Sequence, residues 1–430
     1  MSFRFLTLWL LMLLIACQPN SKDESFPAPA PPVLSEQTAW QKEISKSAYA
    51  DKLLGALVGS AIGDAMGAPT EMWHRSYINM QKGYVDSLQR LVREGSPEGP
   101  WEDNLPEGGT TDDTRWKYLT ANFLLKQPQL DSLNAKKFAA FIVEIYLQEM
   151  EQVKKVDAFA PEPLERELMH ATWLQEWAKV AKPYTESNLD EYVYALDKFY
   201  GGEMACAGML YAPMIGAIYP AMPERAYQES YRLGLFDIGY ARDITGLTAA
   251  LVAKAMQPNV TPEQILNVSY EVDPLRYFNS RLTGRIAYRI YEDAKRITYD
   301  AKQITTPTDK KLPHNFKYDA LYYAQLEKAY ILLDEKLQDI PFHAAEIHLI
   351  NLTAIAFSEG DFQKAIEFVV NYGRDNDTVA AVTGMILGAY WGYEKLPVAL
   401  REKALQVNKD VLGMDLQNLS ETLLEKRYPQ

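Results

Sequence analysis

Between Ala48 and Ala68 the residues Leu53, Leu54, Leu57, Val58, Ala61, Ile62 and Ala65 recur at helical spacing. Within that run Gly55, Gly59, Gly63 and Gly67 fall four apart. Each internal glycine costs a helix about 1 kcal/mol relative to alanine, so four on one face demand a compensating gain. The gain on offer is proximity, because a face without Cβ atoms lets another helix or a ligand lie against backbone. Gly384, Gly388 and Gly392 repeat the spacing near the other end of the chain, and the two ridged helices are expected to cross closely. Membrane helices pair through similar small-residue ridges, but Asp51, Lys52 and Asp64 argue against a span here. Asp64 is the only charge between Lys52 and Glu71, so it is expected to be buried and partnered.

The second ridged helix opens on Gly373-Arg374-Asp375-Asn376-Asp377-Thr378. A helix start suits a carboxylate and leaves backbone N–H groups free to bind. One acid is enough for a cap, and a second beside it adds repulsion unless positive charge lies between them. Thr110-Thr111-Asp112-Asp113-Thr114 repeats the arrangement ahead of a helical pattern through Trp116, Leu119, Phe123 and Leu124. Taken singly, each motif is explained by capping. Taken together, Thr111, Asp112, Asp113, Asp375, Asp377 and Thr378 supply four carboxylates and two hydroxyls, all oxygen donors. Such a set selects Mg²⁺, Mn²⁺ or Ca²⁺ over Zn²⁺, and four carboxylates can neutralise two divalent ions. A crossing of the ridged helices would bring Asp64 and Glu71 near the Asp375–Thr378 turn.

Strand-like alternation is scarce in the rest of the chain. Helical patterns cover Ala135 to Tyr200, Tyr227–Met256, Ile265–Tyr299, His314–Glu335, the pair Phe342–Gly360 and Phe362–Tyr372, and Leu396–Glu425. Gly201–Ala221 is apolar, with Pro213 and Pro220 expected to break it. No fixed-period repeat is present, and the expectation is one all-α domain. Its net charge of −13 argues against binding nucleic acid by phosphate neutralisation. The 27 tyrosines would suit a sugar- or base-stacking surface or, equally, an amphipathic core. Asp237, Arg242 and Asp243 stand among apolar neighbours and point to a buried polar network near a site. His343 and His348 are five apart, turned about 140° from each other on a helix, which does not fit a zincin. Cys206 reads as a small buried apolar residue rather than a nucleophile. Glycine-rich segments inside helices, not after strands, argue against a dinucleotide fold.

The N-terminus has its own logic. Residues 1–16 combine Arg4 with an apolar run too short for a membrane span of about 20 residues, and they fit a secretory signal. Leu14-Ile15-Ala16-Cys17 resembles a bacterial lipobox, which implies acylation of Cys17. Residues 17–39 read as a proline-rich tether and residues 40–430 as the folded domain. The expected setting is the bacterial envelope, at the outer membrane, facing the periplasm or the surface.

Three ordered motifs resemble the ADP-ribosylglycohydrolase family, the dinitrogenase-reductase-activating type of hydrolase. They are Gly63-Asp64-Ala65-Met66-Gly67-Ala68-Pro69-Thr70-Glu71, Thr111-Asp112-Asp113-Thr114, and the helix from Gly373 to Ala381 with Gly384 and Gly388 behind it. The resemblance runs from about Leu53 to the C-terminus. It implies a multi-helix orthogonal bundle with a binuclear magnesium or manganese site at helix N-termini. The implied ligands are Thr111, Asp112, Asp113, Asp375, Asp377 and Thr378, with Glu71 catalytic and Asp64 in support behind them. The implied reaction is hydrolysis at C1 of the distal ribose of an ADP-ribosyl substrate, by a monomer. Glu71 or a ligand aspartate could serve as general base.

The middle segment departs from the family pattern. Leu210 stands where an arginine is expected, and Ala241-Arg242-Asp243 replaces an expected Thr-His. Two other readings therefore stay open: a glycosidase for another N- or O-glycoside on the same scaffold, and a non-catalytic sugar- or nucleotide-binding surface lipoprotein.

Overall fold

The computed structural model describes residues 44–92, 104–156, 168 and 171–429. The signal, the Cys17 lipidation site and the tether lie outside the described residues. The helices are α1 (Lys46–Gly67), α2 (Arg75–Lys82), α3 (Asp112–Lys126), α4 (Ala135–Val153), α5 (Gln175–Glu186) and α6 (Leu189–Leu196). They continue as α7 (Ala207–Ala217), α8 (Pro223–Leu233), α9 (Ala241–Ala255), α10 (Pro262–Leu266), α11 (Val268–Glu271) and α12 (Ile286–Lys302). The last are α13 (Ala320–Asp334), α14 (Ala344–Phe357), α15 (Phe362–Tyr372), α16 (Asn376–Trp391), α17 (Val398–Asp410) and α18 (Leu416–Arg427). Among the described residues, strand is limited to Leu91–Val92 paired antiparallel with Asn104–Leu105. The fold is all-α, and no described helix is long and apolar enough to cross a membrane.

The two glycine ridges face each other. A Cβ built on Gly55 would lie 2.6 Å from the Gly388 carbonyl oxygen, and one on Gly59 3.1 Å from Gly388 Cα. One on Gly67 would lie 2.5 Å from the Asp377 nitrogen. Backbone therefore packs on backbone along the whole α1–α16 contact. Ser45 starts α1 by accepting a hydrogen bond from the Ala48 N–H. The charges near that end serve the same contact. Lys52 Nζ donates to the Ala389 and Tyr390 carbonyls at 2.9 and 2.8 Å and to Ala255 at 3.1 Å. One ammonium thus serves the carboxyl ends of both α16 and α9, where the helix dipoles favour a cation.

Two expectations need correction. Pro213 does not break the apolar stretch but lies inside α7. All of α7 is buried, and that burial outweighs the roughly 3 kcal/mol a helical proline costs. Asp237, Arg242 and Asp243 are divided, because Asp243 belongs to a separate ion pair while Asp237 feels the Arg242 charge and braces the start of α7. Asp243 forms a fully buried ion pair with Arg285, at 2.7 and 2.9 Å, and accepts a hydrogen bond from the Tyr227 hydroxyl. Asp237 instead accepts from the Gly208 N–H at 2.9 Å, holding the start of α7, while Arg242 donates to the Tyr231 carbonyl.

Candidate metal centre

The α1–α16 packing fixes where the acidic motifs meet. Asp64, near the end of α1, is wholly buried and reaches the start of α3. Its Oδ1 accepts from the Thr111 N–H and hydroxyl at 2.9 and 3.0 Å, and its Oδ2 from the Thr114 N–H and hydroxyl at 3.0 and 2.6 Å. Asp64 thus orients the Thr111–Thr114 turn rather than facing the cavity. Thr378, in the first turn of α16, donates its hydroxyl to Asp113 Oδ2 at 2.9 Å. The Thr111 hydroxyl lies 3.4 Å from Asp377 Oδ2. These contacts join two helix starts more than 260 residues apart in sequence.

Thr111, Asp113, Asp375, Asp377 and Thr378 are all buried, and Asp112 is half-buried against the same cavity. Asp375 occupies the N-cap position of α16, yet its side chain makes no capping hydrogen bond. The capping explanation fails for this carboxylate. Glu71 is half-buried at the rim, and one oxygen each of Glu71, Asp375 and Asp377 lie within 4.8 Å of one another.

A backbone strap holds Glu71 there. The Met72 N–H donates to the Arg374 carbonyl at 2.7 Å, and the Arg374 N–H to the Trp73 carbonyl at 3.0 Å. Gly373 has φ +88°, and a Cβ there would strike the Trp73 carbonyl. Arg374 itself is left-handed, at φ +66°. Its guanidinium grips buried Glu346 at 2.7 and 2.9 Å, and Glu346 also accepts from the Gln338 N–H at 2.7 Å. Glu346 is the acid between the two histidines weighed above. His343 caps α14 through the Ala345 N–H, and His348 is buried farther along that helix.

The electrostatics are those of a site short of positive charge. Burial, then repulsion from Glu71, pushes Asp375 up to about 8. The same causes drive Asp377 well above the usual carboxylate range. Burial and then Asp113 do this to Asp112, and they push Asp64 up to about 6. Among the described residues, the cations reaching this group are Lys117, 3.2 Å from Asp113, Arg115 near Asp112, and Arg374, which feels Asp375 but is paired with Glu346. Fully ionised, the six carboxylates would outnumber Lys117 and Arg115 by four, Arg374 being taken by Glu346, and two divalent ions would cancel that surplus. The donor set, with oxygen alone facing the cavity from both helix starts, fits hard cations.

Sequence reasoning singles out Leu210 and Cys206 but misses the aromatic part of the wall. Trp177, Tyr200, Cys206, Leu210 and Phe342 line the acidic cavity, whose volume is 70 Å³. Tyr200 is left-handed at φ +46° and is followed by left-handed Gly201 and Gly202. The Gly201-Gly202 pair was the one sequence signal of this turn. Burial, then Asp375, pushes the Cys206 thiol up, so it stays protonated.

The sequence model of the ADP-ribosylglycohydrolase family matches residues 45–430, the stretch that carries both acidic turns and both glycine ridges. The chain belongs to that family. A solved structure, an ADP-ribosylglycohydrolase-related protein complex, shares the fold with a TM-score of 0.53. The match is 18% identical and covers 89% of this chain and 99% of that one. The uncharacterized protein YegU of Escherichia coli (strain K12) is 36% identical over 81 residues, which is 18% of this chain and 22% of YegU. The chain thus spans only about a fifth of that relative's length.

Proposed function

We propose that this protein is a metal-dependent hydrolase cleaving the bond at C1 of a ribosyl group, the distal ribose of an ADP-ribosyl conjugate or a related riboside. The observation that carries this reading is the buried carboxylate cluster with its surplus of negative charge. Thr111, Asp112, Asp113, Asp375, Asp377 and Thr378 would hold two Mg²⁺ or Mn²⁺ ions. Such ions supply positive charge that orients a sugar diol and acidifies water.

The chain's own groups do the remainder. Departure of the group at C1 develops oxocarbenium character, which the surrounding carboxylates stabilise. Glu71 is less buried than Asp375 and Asp377 and is held by the Met72–Arg374 strap, which supports Glu71 over a ligand aspartate as the group that would take a proton from the attacking water. Trp177, Tyr200, Leu210 and Phe342 keep bulk solvent from the reacting bond and strengthen every charge interaction there.

Incubation of the protein with Mg²⁺ or Mn²⁺ and a panel of ADP-ribosyl conjugates and nucleosides tests the reading. Free ADP-ribose or ribose should appear, and chelation should stop it. Turnover that persists in Asp377→Ala protein stripped of metal would refute the mechanism. A second reading, action on another glycosidic or nucleoside-like bond, rests on Leu210. This residue lines the cavity where the family resemblance leads one to expect arginine.

The proposal extends to placement. A signal at residues 1–16, lipidation of Cys17 and a tether over residues 17–39 would anchor residues 40–430 at the bacterial envelope. Support comes from the Leu14–Cys17 motif and the proline-rich segment behind it. Cys17→Ser should abolish partitioning into detergent; unchanged partitioning would refute the anchor.

A further inference from the structure

A second cavity is larger than the acidic one. A hollow of 740 Å³ lies between α10 and α11 on one side, α12 on another and the end of α14 on a third. That volume is in the usual range for small-molecule sites, about 300–1,000 Å³. The hollow shares no lining residue with the acidic cavity. The two sit at opposite ends of α14, since Phe342 beside its N-cap lines one and Ile355 the other. At 1.5 Å per residue the two ends are roughly 20 Å apart.

The wall of the hollow is built from tyrosine. Tyr270, Tyr288 and Tyr291 form a triangle with ring centroids 6.1, 6.2 and 6.5 Å apart. Phe278 extends it at 5.4 Å from Tyr288. Tyr291 belongs to the core at 4% exposed and Tyr288 packs against it, whereas Tyr270 is 43% exposed and Phe278 40%. Exposed aromatic surface concentrated on one short stretch marks an interaction site.

The polar groups define what fits. Asn267 accepts the Tyr291 hydroxyl at 2.7 Å, so its amide N–H₂ remains as a donor. Glu263, Glu292 and Glu359 supply carboxylates, and the single lysine of the lining, Lys295, pairs with Glu292 at 3.0 Å. The net charge is negative, which repels phosphates, sulfates and carboxylates. An apolar ligand would strip water from all three carboxylates, of which Glu292 pairs with Lys295 and Glu359 with Lys302 at 3.8 Å. For an organic cation, one aromatic face is already taken, with the Lys295 ammonium 4.8 Å from the Tyr291 centroid. A neutral, hydroxyl-rich ring meets every condition. Its C–H face lies on tyrosine, its hydroxyls donate to glutamate, and its oxygens accept from Asn267.

We propose that this hollow is a second binding site, taking a short neutral saccharide and operating independently of the acidic cavity. It does not rest on the hydrolase reading, since no residue is shared.

Calorimetric titration of the protein with maltotriose, cellotriose and chitotriose tests the proposal, with glucose 6-phosphate and choline as charged probes. At least one neutral trisaccharide should bind saturably. Tyr270→Ala, at an exposed position, and the double variant Tyr270→Ala/Tyr288→Ala should each weaken it about tenfold or more, with unchanged circular dichroism. Asp377→Ala should leave it intact. Three results would overturn the proposal: no saturable binding by any neutral trisaccharide, tighter binding of either charged probe, or saccharide binding lost in Asp377→Ala but retained in the tyrosine variants.

Discussion

Gly63→Ala sets two rules of helix stability against each other. By intrinsic propensity, alanine in place of a mid-helix glycine stabilises by about 1 kcal/mol. By packing, the added Cβ enters the α1–α16 contact, 2.9 Å from the Ala381 nitrogen and closer still to the Ala380 carbonyl. The atoms it meets are backbone, so no rotamer change relieves the overlap. Separating the helices also opens the Gly59 and Gly67 contacts on either side. Overpacking of a well-filled core costs typically 1–3 kcal/mol, and a rigid backbone neighbour places this site at or above the upper end. Net of the propensity gain, the expected loss is about 2 kcal/mol or more. Urea unfolding followed by circular dichroism in EDTA measures it. The same shift displaces Asp377, one turn before Ala380, so Mn²⁺ affinity measured by calorimetry should fall too. A Gly63→Ala protein as stable as the parent, or more stable, would refute the close-packing account.

Asp377→Ala should abolish saturable Mn²⁺ binding while leaving the metal-free protein as stable as before or more so, because a crowded buried carboxylate is gone; calorimetry and thermal melting in EDTA check the two halves. Arg374→Met leaves Glu346 buried without its guanidinium and should cost about 3 kcal/mol, and it should lower turnover more than Mn²⁺ affinity by loosening the Glu71 strap. Equal losses in both would contradict that division. Burial lowers His348 to about 3, so between that value and the ordinary histidine range the unfolded chain binds a proton the folded one refuses. Stability from this group is complete above about pH 6.5 and is lost on acidification, by up to about 1.4 kcal/mol per pH unit. The parent should therefore lose stability faster than His348→Leu protein in urea titrations from pH 6.5 to 4.5, and parallel curves would count against it.

The parts of the fold legible in the sequence were those encoded by absence or by local repetition. Glycines four apart announce a face that something must approach, and the α1–α16 contact is what approaches it. The paired acids at Asp112 and Asp375 stood out because each exceeds what a cap requires, and the structure brings both helix starts to one cavity. Long-range partners were hidden. Nothing near Asp243 names Arg285, 42 residues away, as its counter-ion, so a structural ion pair looked like part of a site. Arg374 likewise gives no sign of Glu346. The aromatic wall comes from α5, from the Tyr200 turn and from the residue ahead of His343, three segments that meet only in the folded chain. Pro213 misled because local propensity was read without the burial that overrides it.

The partnership of α1 with α16 also sets a timetable. About 300 residues separate the end of one helix from the start of the other. At a synthesis rate of roughly 5–20 residues per second the interval is about 15–60 s. Throughout it the first ridge has no partner, and Asp64 has no finished turret of acids to brace. Core and candidate cation site therefore mature in a single late event, once about the final eighth of the chain is available. A ribosome-bound fragment ending before Asn376 should remain open to protease and indifferent to Mn²⁺, and addition of the last helices should change both properties together.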